Sequence, residues 1–370
     1  MAKDEAPFMS VVIPVYNGAV TIGRALESLL AQDYPDDRYE IIVVNDGSTD
    51  DTAQVVAMLP SVRYVELPSN QGIPTAQNAG LEAAKGEIYV AFNDDFQAAP
   101  DFLRELARGY AELDRAIGIG GVVVNQASGR PKGLVANFIQ ATRNGAAPPV
   151  IDIGPAYLPG PAKRLLAYIV SNYASARDED QDARDYQEVV ELYGANASFP
   201  IKMLHQIGGW DPRTAAPSIG GIEDRDISLR LRKQFPGHEF YVLRSVRIML
   251  DLDPGDSSVS IRSYLMRPYR RGPFNYAFHA KNGMAPPLFP FPVLIALLLV
   301  AGAVLMPLLL PLWVLLLPQL CYGWWVRRAV AEHRPTFLMF PYLQAAEEAM
   351  VLLGLLRGYL MRVRGKLAIS

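Results

Sequence analysis

Tyr89-Val90-Ala91-Phe92-Asn93-Asp94-Asp95-Phe96 joins an apolar run to a pair of acids in the middle of the N-terminal half of the chain. Four residues of strand character run straight into two adjacent carboxylates, Asp94 and Asp95, with Asn93 just before them. Apolar β-formers bounded by polar turn residues read as a buried strand whose C-terminal end surfaces at a cleft. In an open α/β sheet, ligands sit outside those strand ends, so the carboxylates are delivered to the binding crevice. Two hard oxygen donors there suit Mg²⁺ or Mn²⁺ held against a diphosphate, since such ions take few protein ligands and share the rest with phosphate. A bare Asn-Asp-Asp fits a surface Asx-turn equally well, and the rest of the chain has to decide between the two.

Upstream, Met9–Tyr16 is a short β-branched run, and Pro14 limits its pairing, which places Tyr16 and Asn17 at the rim. Thr21 is positioned to cap a helix over Ile22–Gln32, with Ile22, Ala25, Leu26, Leu29 and Leu30 on one face. A second strand, Glu40–Val44, leads into the turn-forming loop Asn45–Asp50 and a helix over Thr52–Met58. A third strand, Val62–Leu67, a turn at Asn70–Pro74 and a helix through Ala83 precede the carboxylate strand. This alternation predicts an α/β fold with a parallel, doubly wound sheet. Asp46 falls at the same end of the sheet as Asn93–Asp95. It fits an Asx-turn, a helix N-cap, or a carboxylate that accepts the imide or amino N–H of a nucleotide base.

Downstream, Gly118–Val124 is a further strand, followed by a weakly periodic stretch, Asn125–Leu192, with the acidic run Asp178–Asp182. That run reads as a solvated face or an acceptor loop. Gly220-Gly221-Ile222-Glu223-Asp224-Arg225-Asp226 forms a second chemical centre before a helix over Ile227–Gln234. Its acids can simply complement the helix dipole. They can also supply the carboxylate that deprotonates an attacking hydroxyl.

The chain has 370 residues and a formal net charge of −3, which argues against general nucleic-acid binding. Its lone cysteine, Cys321, excludes an internal disulfide framework, and Met1–Ser10 lacks an apolar core of signal-peptide length. From Pro287 to Val326 no residue is charged, enough for two spans of about 20 residues each in a hairpin reversing at Pro307 and Pro311. Arg327-Arg328 then lies on the cytoplasmic side, so the expected setting is multi-pass in the cell membrane with the N-terminal domain facing the cytoplasm. Thr336–Met361 is apolar yet carries Glu347, Glu348 and Arg357, and reads as an interfacial or third membrane helix. Arg267, Arg270 and Arg271 form a juxtamembrane basic patch suited to membrane lipids.

Taken together, these pieces resemble an inverting glycosyltransferase of family 2 with the GT-A fold. The resemblance is carried in order by Val12–Asn17, Ser28–Pro35, Glu40–Asp50, Asn70-Gln71-Gly72, Gln77–Gly80 and Gly86-Glu87. Gly194–Ala197, Ile207–Asp211 and Gly221–Asp224 follow, so that roughly residues 8–235 are covered. It implies a nucleotide-diphosphosugar fold, Rossmann-like, over residues 8–255, followed by the basic segment 256–286, the hairpin 287–326 and the helix 336–361. It also implies that Pro14, Tyr16 and Asp46 hold the nucleoside, with Asn17 and Asn93 in the same nucleotide-sugar-binding set. Asp94 would hold ribose or diphosphate and Asp95 a Mg²⁺ or Mn²⁺. Asp224 would be the base, Glu223 its orienting neighbour, and Arg267, Arg270 and Arg271 would contact diphosphate or lipid. Two departures matter: Asn93 replaces the first acid of the family's metal motif, and Asp251-Leu252-Asp253 stands where relatives often place a His ligand. The implied activity is metal-dependent sugar transfer from a nucleotide-sugar donor to a membrane-proximal lipid-linked or glycan acceptor. A polyprenyl-phosphate sugar synthase and a non-catalytic glycosyltransferase-like scaffold are the rivals.

Overall fold

The computed structural model describes residues 6–125, 185–189, 191–192, 196–214, 222–250, 261–283, 290–305, 310–331 and 335–365. Two compact units are present, Met1–Ser128 with Asp182–Asp253 and Gly129–Gln181 with Pro254–Ser370.

The first unit is built on one sheet. Its strands are β1 (Met9–Val15), β2 (Tyr39–Asn45), β3 (Arg63–Glu66), β4 (Ile88–Phe92), β5 (Phe96–Ala98), β6 (Ala116–Asn125), β7 (Tyr186–Val189), β8 (Asn196–Pro200) and β9 (Glu239–Leu250). They run in the order β3-β2-β1-β4-β8-β6-β9-β5, with β7 also paired to β9. β1, β2 and β4 are apolar at nearly every position because helices cover both faces, as parallel strands require. On one face α1 (Ile22–Leu30) and α4 (Phe102–Glu112) bury Leu26, Leu29, Phe102 and Leu106 against Val11, Val43, Val90 and Phe92. α2 (Thr52–Ala57) adds Val56 to the same cluster. On the other face α3 (Ile73–Ala83), α5 (Ile201–Gln206) and α6 (Glu223–Gln234) bury Ala76, Leu204, Ile227 and Leu231 against Val12, Ile42 and Phe240.

The expected parallel pairing holds from β3 through β4. Beyond β4 the sheet is mixed. β8 enters antiparallel between β4 and β6, while β5 and β7 lie antiparallel to β9. β8 reads Asn-Ala-Ser-Phe-Pro and has little strand propensity. Its backbone is satisfied by partners on both sides, and ladder bonds override propensity in such a position.

The second unit is helical where described: α7 (Ile261–Lys281), α8 (Pro290–Leu305), α9 (Leu310–Cys321), α10 (Gly323–Ala331) and α11 (Phe340–Val363). α7 and α11 approach closely through glycines. A Cβ on Gly272 would run into the Gly354 backbone, and one on Gly354 would meet the carbonyls of Pro268 and Tyr269. The expected membrane hairpin is overturned, because no helix among the described residues is long and apolar enough to cross a membrane. α8 has 16 residues and α9 has 12. At 1.5 Å per residue they reach only about 24 and 18 Å, short of the ~30 Å hydrocarbon core. α11 has the length but carries Glu347, Glu348, Arg357 and Arg362. Glu348 is buried and accepts hydrogen bonds from the Tyr322 hydroxyl (2.7 Å) and Gln344 Nε2 (3.1 Å). Trp325 Nε1 donates to Gln344 Oε1 at 2.8 Å. The uncharged run 287–326 misled because charge-free length says nothing about where a helix breaks. The multi-pass assignment, and the cytoplasmic orientation drawn from Arg327-Arg328, fall with it.

Candidate active site

The C-terminal ends of β1, β2 and β4 carry three loops that are tied to one another. Asn17 adopts φ 54°, a left-handed conformation that asparagine tolerates better than most side chains. Its N–H donates to Ser48 Oγ (2.9 Å) and its Oδ1 accepts the Thr49 N–H (2.8 Å). The next two amides continue the clasp, Gly18 N–H to Thr52 Oγ1 (3.0 Å) and Ala19 N–H to Asp50 Oδ2 (3.1 Å). Asp50 also accepts the Thr52 hydroxyl, the main reason its carboxyl sits below the usual range.

Asp46 forms the floor of this edge. Its carboxylate is buried and accepts the Gln71 N–H at Oδ1 (2.7 Å) and the Gly72 N–H at Oδ2 (2.8 Å). Burial pushes its pKa up, and those two backbone bonds pull it down. Each oxygen therefore holds one amide of the turn before α3. Of the other nucleoside-site candidates, Pro14 is half-buried, and Tyr16 and Asn17 are exposed at the rim.

Asp94 is half-buried beside Gly18, where a Cβ would run into the Asp94 carboxylate and the Val15 side chain. Thr21 occupies the N-cap of α1, as its sequence position suggests, but makes no side-chain capping bond. Its hydroxyl donates instead to Asp94 Oδ2 at 2.8 Å, a link the sequence pattern could not show. Burial pushes the Asp94 pKa up to about 6, Thr21 opposes this, and the charges of Asp95 and Asp50 add to the rise. Asp95 is exposed next to it, with half-buried Asn93 on the other side. Among the described residues, no group of three or more His, Cys, Asp or Glu side chains is gathered to hold a metal. Two adjacent carboxylates at a repulsive, open strand end still fit a hard divalent cation whose remaining ligands come from phosphate and water.

Glu223, Asp224 and Asp226 lie in the first turn of α6, all within the helix rather than ahead of it. The direction of α6 follows from its contacts. Arg232 pairs with Glu239 (3.1 Å) at the start of β9, and Ser228 Oγ, one turn earlier, accepts the Leu192 N–H (3.3 Å). Leu192 lies against Gly118 and Gly120 of β6. The helix therefore climbs from the N-terminal edge of β9 towards the C-terminal edge of the sheet. From Arg232 back to Asp224 the helix rises about 12 Å at 1.5 Å per residue, as far as three or four strand residues at ~3.3 Å. From Glu239 that reaches the level of Val242 or Leu243, and Val242, Gly120, Ala197 and Ala91 are aligned across the sheet. The acidic first turn of α6 thus points towards the edge where Asn93–Asp95 emerge. Gly220 and Gly221, Asp251-Leu252-Asp253, the acidic run 178–182 and Gly194-Ala195 lie outside the described residues. Arg267, Arg270 and Arg271 belong to α7 of the other unit.

Residues 10–165 match the family described as Glycosyl transferase family 2. Over that stretch the chain is similar to the family 2 glycosyltransferases. Over 107 residues the chain is 40% identical to the succinoglycan biosynthesis protein ExoO of Rhizobium meliloti, covering 28% of this chain and 30% of that one. A stretch of 144 residues is 28% identical to a dolichyl N-acetyl-α-D-glucosaminyl phosphate 3-β-D-2,3-diacetamido-2,3-dideoxy-β-D-glucuronosyltransferase of Methanococcus voltae, covering 36% of this chain and 44% of that one. The chain thus spans under half the length of these curated relatives. The fold extends further. The mannosyltransferase PcManGT of Pyrobaculum calidifontis, solved with GDP-Man and Mn²⁺, superposes with a TM-score of 0.54 at 20% identity, over 96% of this chain and 88% of that one. The mixed α/β architecture is therefore GT-A-like.

Proposed function

We propose that this chain is a metal-dependent, inverting glycosyltransferase that moves a sugar from a nucleotide-diphosphosugar to a glycan or lipid-linked acceptor. The observation that carries the reading is the direction of α6, whose acidic first turn points towards the sheet edge where Asp94 and Asp95 follow β4. The Asp94 and Asp95 carboxylates would hold Mg²⁺ or Mn²⁺, which when bound neutralises charge on the departing diphosphate as a Lewis acid. Tyr16 offers an exposed ring at the rim for the nucleoside, with half-buried Pro14 nearby in sequence and the clasped Asn17 fixing the loop. Asp46 acts on the nucleoside site indirectly, by holding the Gln71–Gly72 turn. Asp224 takes the proton of the acceptor hydroxyl as that oxygen attacks the anomeric carbon opposite the leaving group, and Glu223 orients the acceptor. A positioned base of this kind contributes about 10²–10⁴-fold in rate.

Support for a nucleotide-sugar donor and a divalent cation comes from the fold shared with the GDP-Man- and Mn²⁺-bound mannosyltransferase. Support for a glycan or lipid-linked acceptor comes from the names of the succinoglycan and dolichyl-linked relatives. The test is nucleotide release from GDP-mannose, UDP-glucose, UDP-N-acetylglucosamine and dTDP-glucose with Mn²⁺, for wild type and Asp224→Asn. Release by the wild type that drops at least about 100-fold in Asp224→Asn, with UDP or GDP still bound, supports the reading. Full release by Asp224→Asn removes the base assignment.

A further inference from the structure

The carboxylates follow β4 and the base sits on α6, and inversion needs them held at a fixed spacing. A continuous set of contacts joins the two elements. Tyr89 of β4 is fully buried, and its ring lies 5.1 Å from that of Trp210. Trp210 is fixed by a reciprocal pair with Asn78 of α3: its N–H donates to Asn78 Oδ1, and Asn78 Nδ2 donates to its carbonyl, both at 2.8 Å. The turn just before it, Gly208-Gly209, has both residues at positive φ (75° and 68°). A Cβ on Gly209 would collide with Asn78 Oδ1, so the turn tolerates no side chain there. From the other side, Arg230 Nη1 donates to the carbonyls of Ile207 (3.0 Å) and Gly209 (2.7 Å). Arg230 Nε pairs with Asp226 Oδ2 at 2.6 Å, and the Asp226 side chain is only 3% exposed.

Asp226 lies two residues after Asp224 on the same first turn. Burying an ion pair costs desolvation that apolar packing of equal volume would avoid, so such a pair is a poor source of stability. What it supplies here is geometry. The planar guanidinium fork reads two carbonyls and one carboxylate at once, which a lysine ammonium cannot reproduce. We infer that Asp226 and Arg230 are positioning residues for the transfer reaction. Through the Gly208–Trp210 turn, Asn78 and Tyr89, they fix the first turn of α6, and with it Asp224, relative to the carboxylate end of β4. Asp224 is taken here as the base proposed above, and the relay rests on that reading.

The experiment measures nucleotide release with Mn²⁺ from the donors named above for Arg230→Lys, Asp226→Asn and Asp224→Asn, and for Arg230→Lys combined with Asp224→Asn. Binding of UDP and GDP with Mn²⁺ is measured in parallel. Arg230→Lys and Asp226→Asn should lower kcat about 10–100-fold, the scale of a misplacement near 1 Å. Nucleotide Kd should stay within about twofold, and Arg230→Lys should add no further loss when Asp224 is already Asn. A merely structural role would weaken nucleotide binding together with kcat, or subtract equally in both backgrounds, and either result overturns the inference. So does a wild-type kcat in both single variants. If Asp226→Asn fails to fold, Arg230→Lys, which keeps the charge, decides alone. Undiminished release by Asp224→Asn would instead sink the base assignment, a result distinct from failure of the relay.

Discussion

Replacing Asp46 with Asn separates a structural carboxylate from a base-reading one. In the fold its two oxygens accept the Gln71 and Gly72 amides at 2.7 and 2.8 Å. Asparagine keeps one acceptor and turns an NH₂ towards the second amide, so one charge-assisted bond is lost and a donor faces a donor. Such a bond is worth about 1.5–3 kcal/mol. The loss is partly offset because burial already disfavours the ionised Asp46. A net cost of about 2 kcal/mol lowers Tm by about 4–8 °C for a unit of this size. Thermal unfolding by circular dichroism, with UDP and GDP affinity measured alongside, is the assay. An unchanged Tm combined with a loss of nucleotide affinity of about tenfold or more would refute the structural role and assign Asp46 to the base itself.

Gly18→Ala should weaken Mn²⁺-dependent nucleotide binding, by calorimetry, because the new Cβ pushes the Asp94 carboxylate out of its place; unchanged affinity would mean Asp94 does not face the ligand. Asp94 holds its proton up to about pH 6, so the metal–nucleotide complex should weaken about tenfold per pH unit below that value. For the ligand-free fold the sign is opposite, since a raised carboxyl pKa contributes stability below the ordinary value that is lost as pH rises through about 6. Denaturation and binding titrations from pH 4 to 8 should therefore move in opposite directions. Trp210→Ala removes a buried ring packed on Tyr89 and Phe199 and should cost about 3–5 kcal/mol by denaturant unfolding. A loss below about 1 kcal/mol would contradict its place at the centre of that cluster.

The parallel half of the fold was legible because β1, β2 and β4 are unbroken apolar runs that end in turn formers. The mixed half was not. β8 carries no propensity signal, and its position is set by two neighbours distant in sequence. At the site, Asp94 and Asp95 and the acids of α6 were visible as residue types at element ends. The Thr21–Asp94 bond and the Arg230–turn contacts join residues 73 and more than 20 positions apart, which no local pattern records. The bonds of Asp46 to the Gln71 and Gly72 amides span 25 and 26 positions and were equally hidden. The helices after residue 286 show how hydropathy without helix length overcalls a membrane span.

The central claim is that Asp95 and Asp224 face the same activated sugar. A structure determined with Mn²⁺ and UDP or GDP tests it most directly. The account predicts the cation on the Asp95 carboxylate, with Asp224 across a gap of one sugar ring from the diphosphate. A cation bound elsewhere, or Asp224 turned away from the nucleotide, would contradict it.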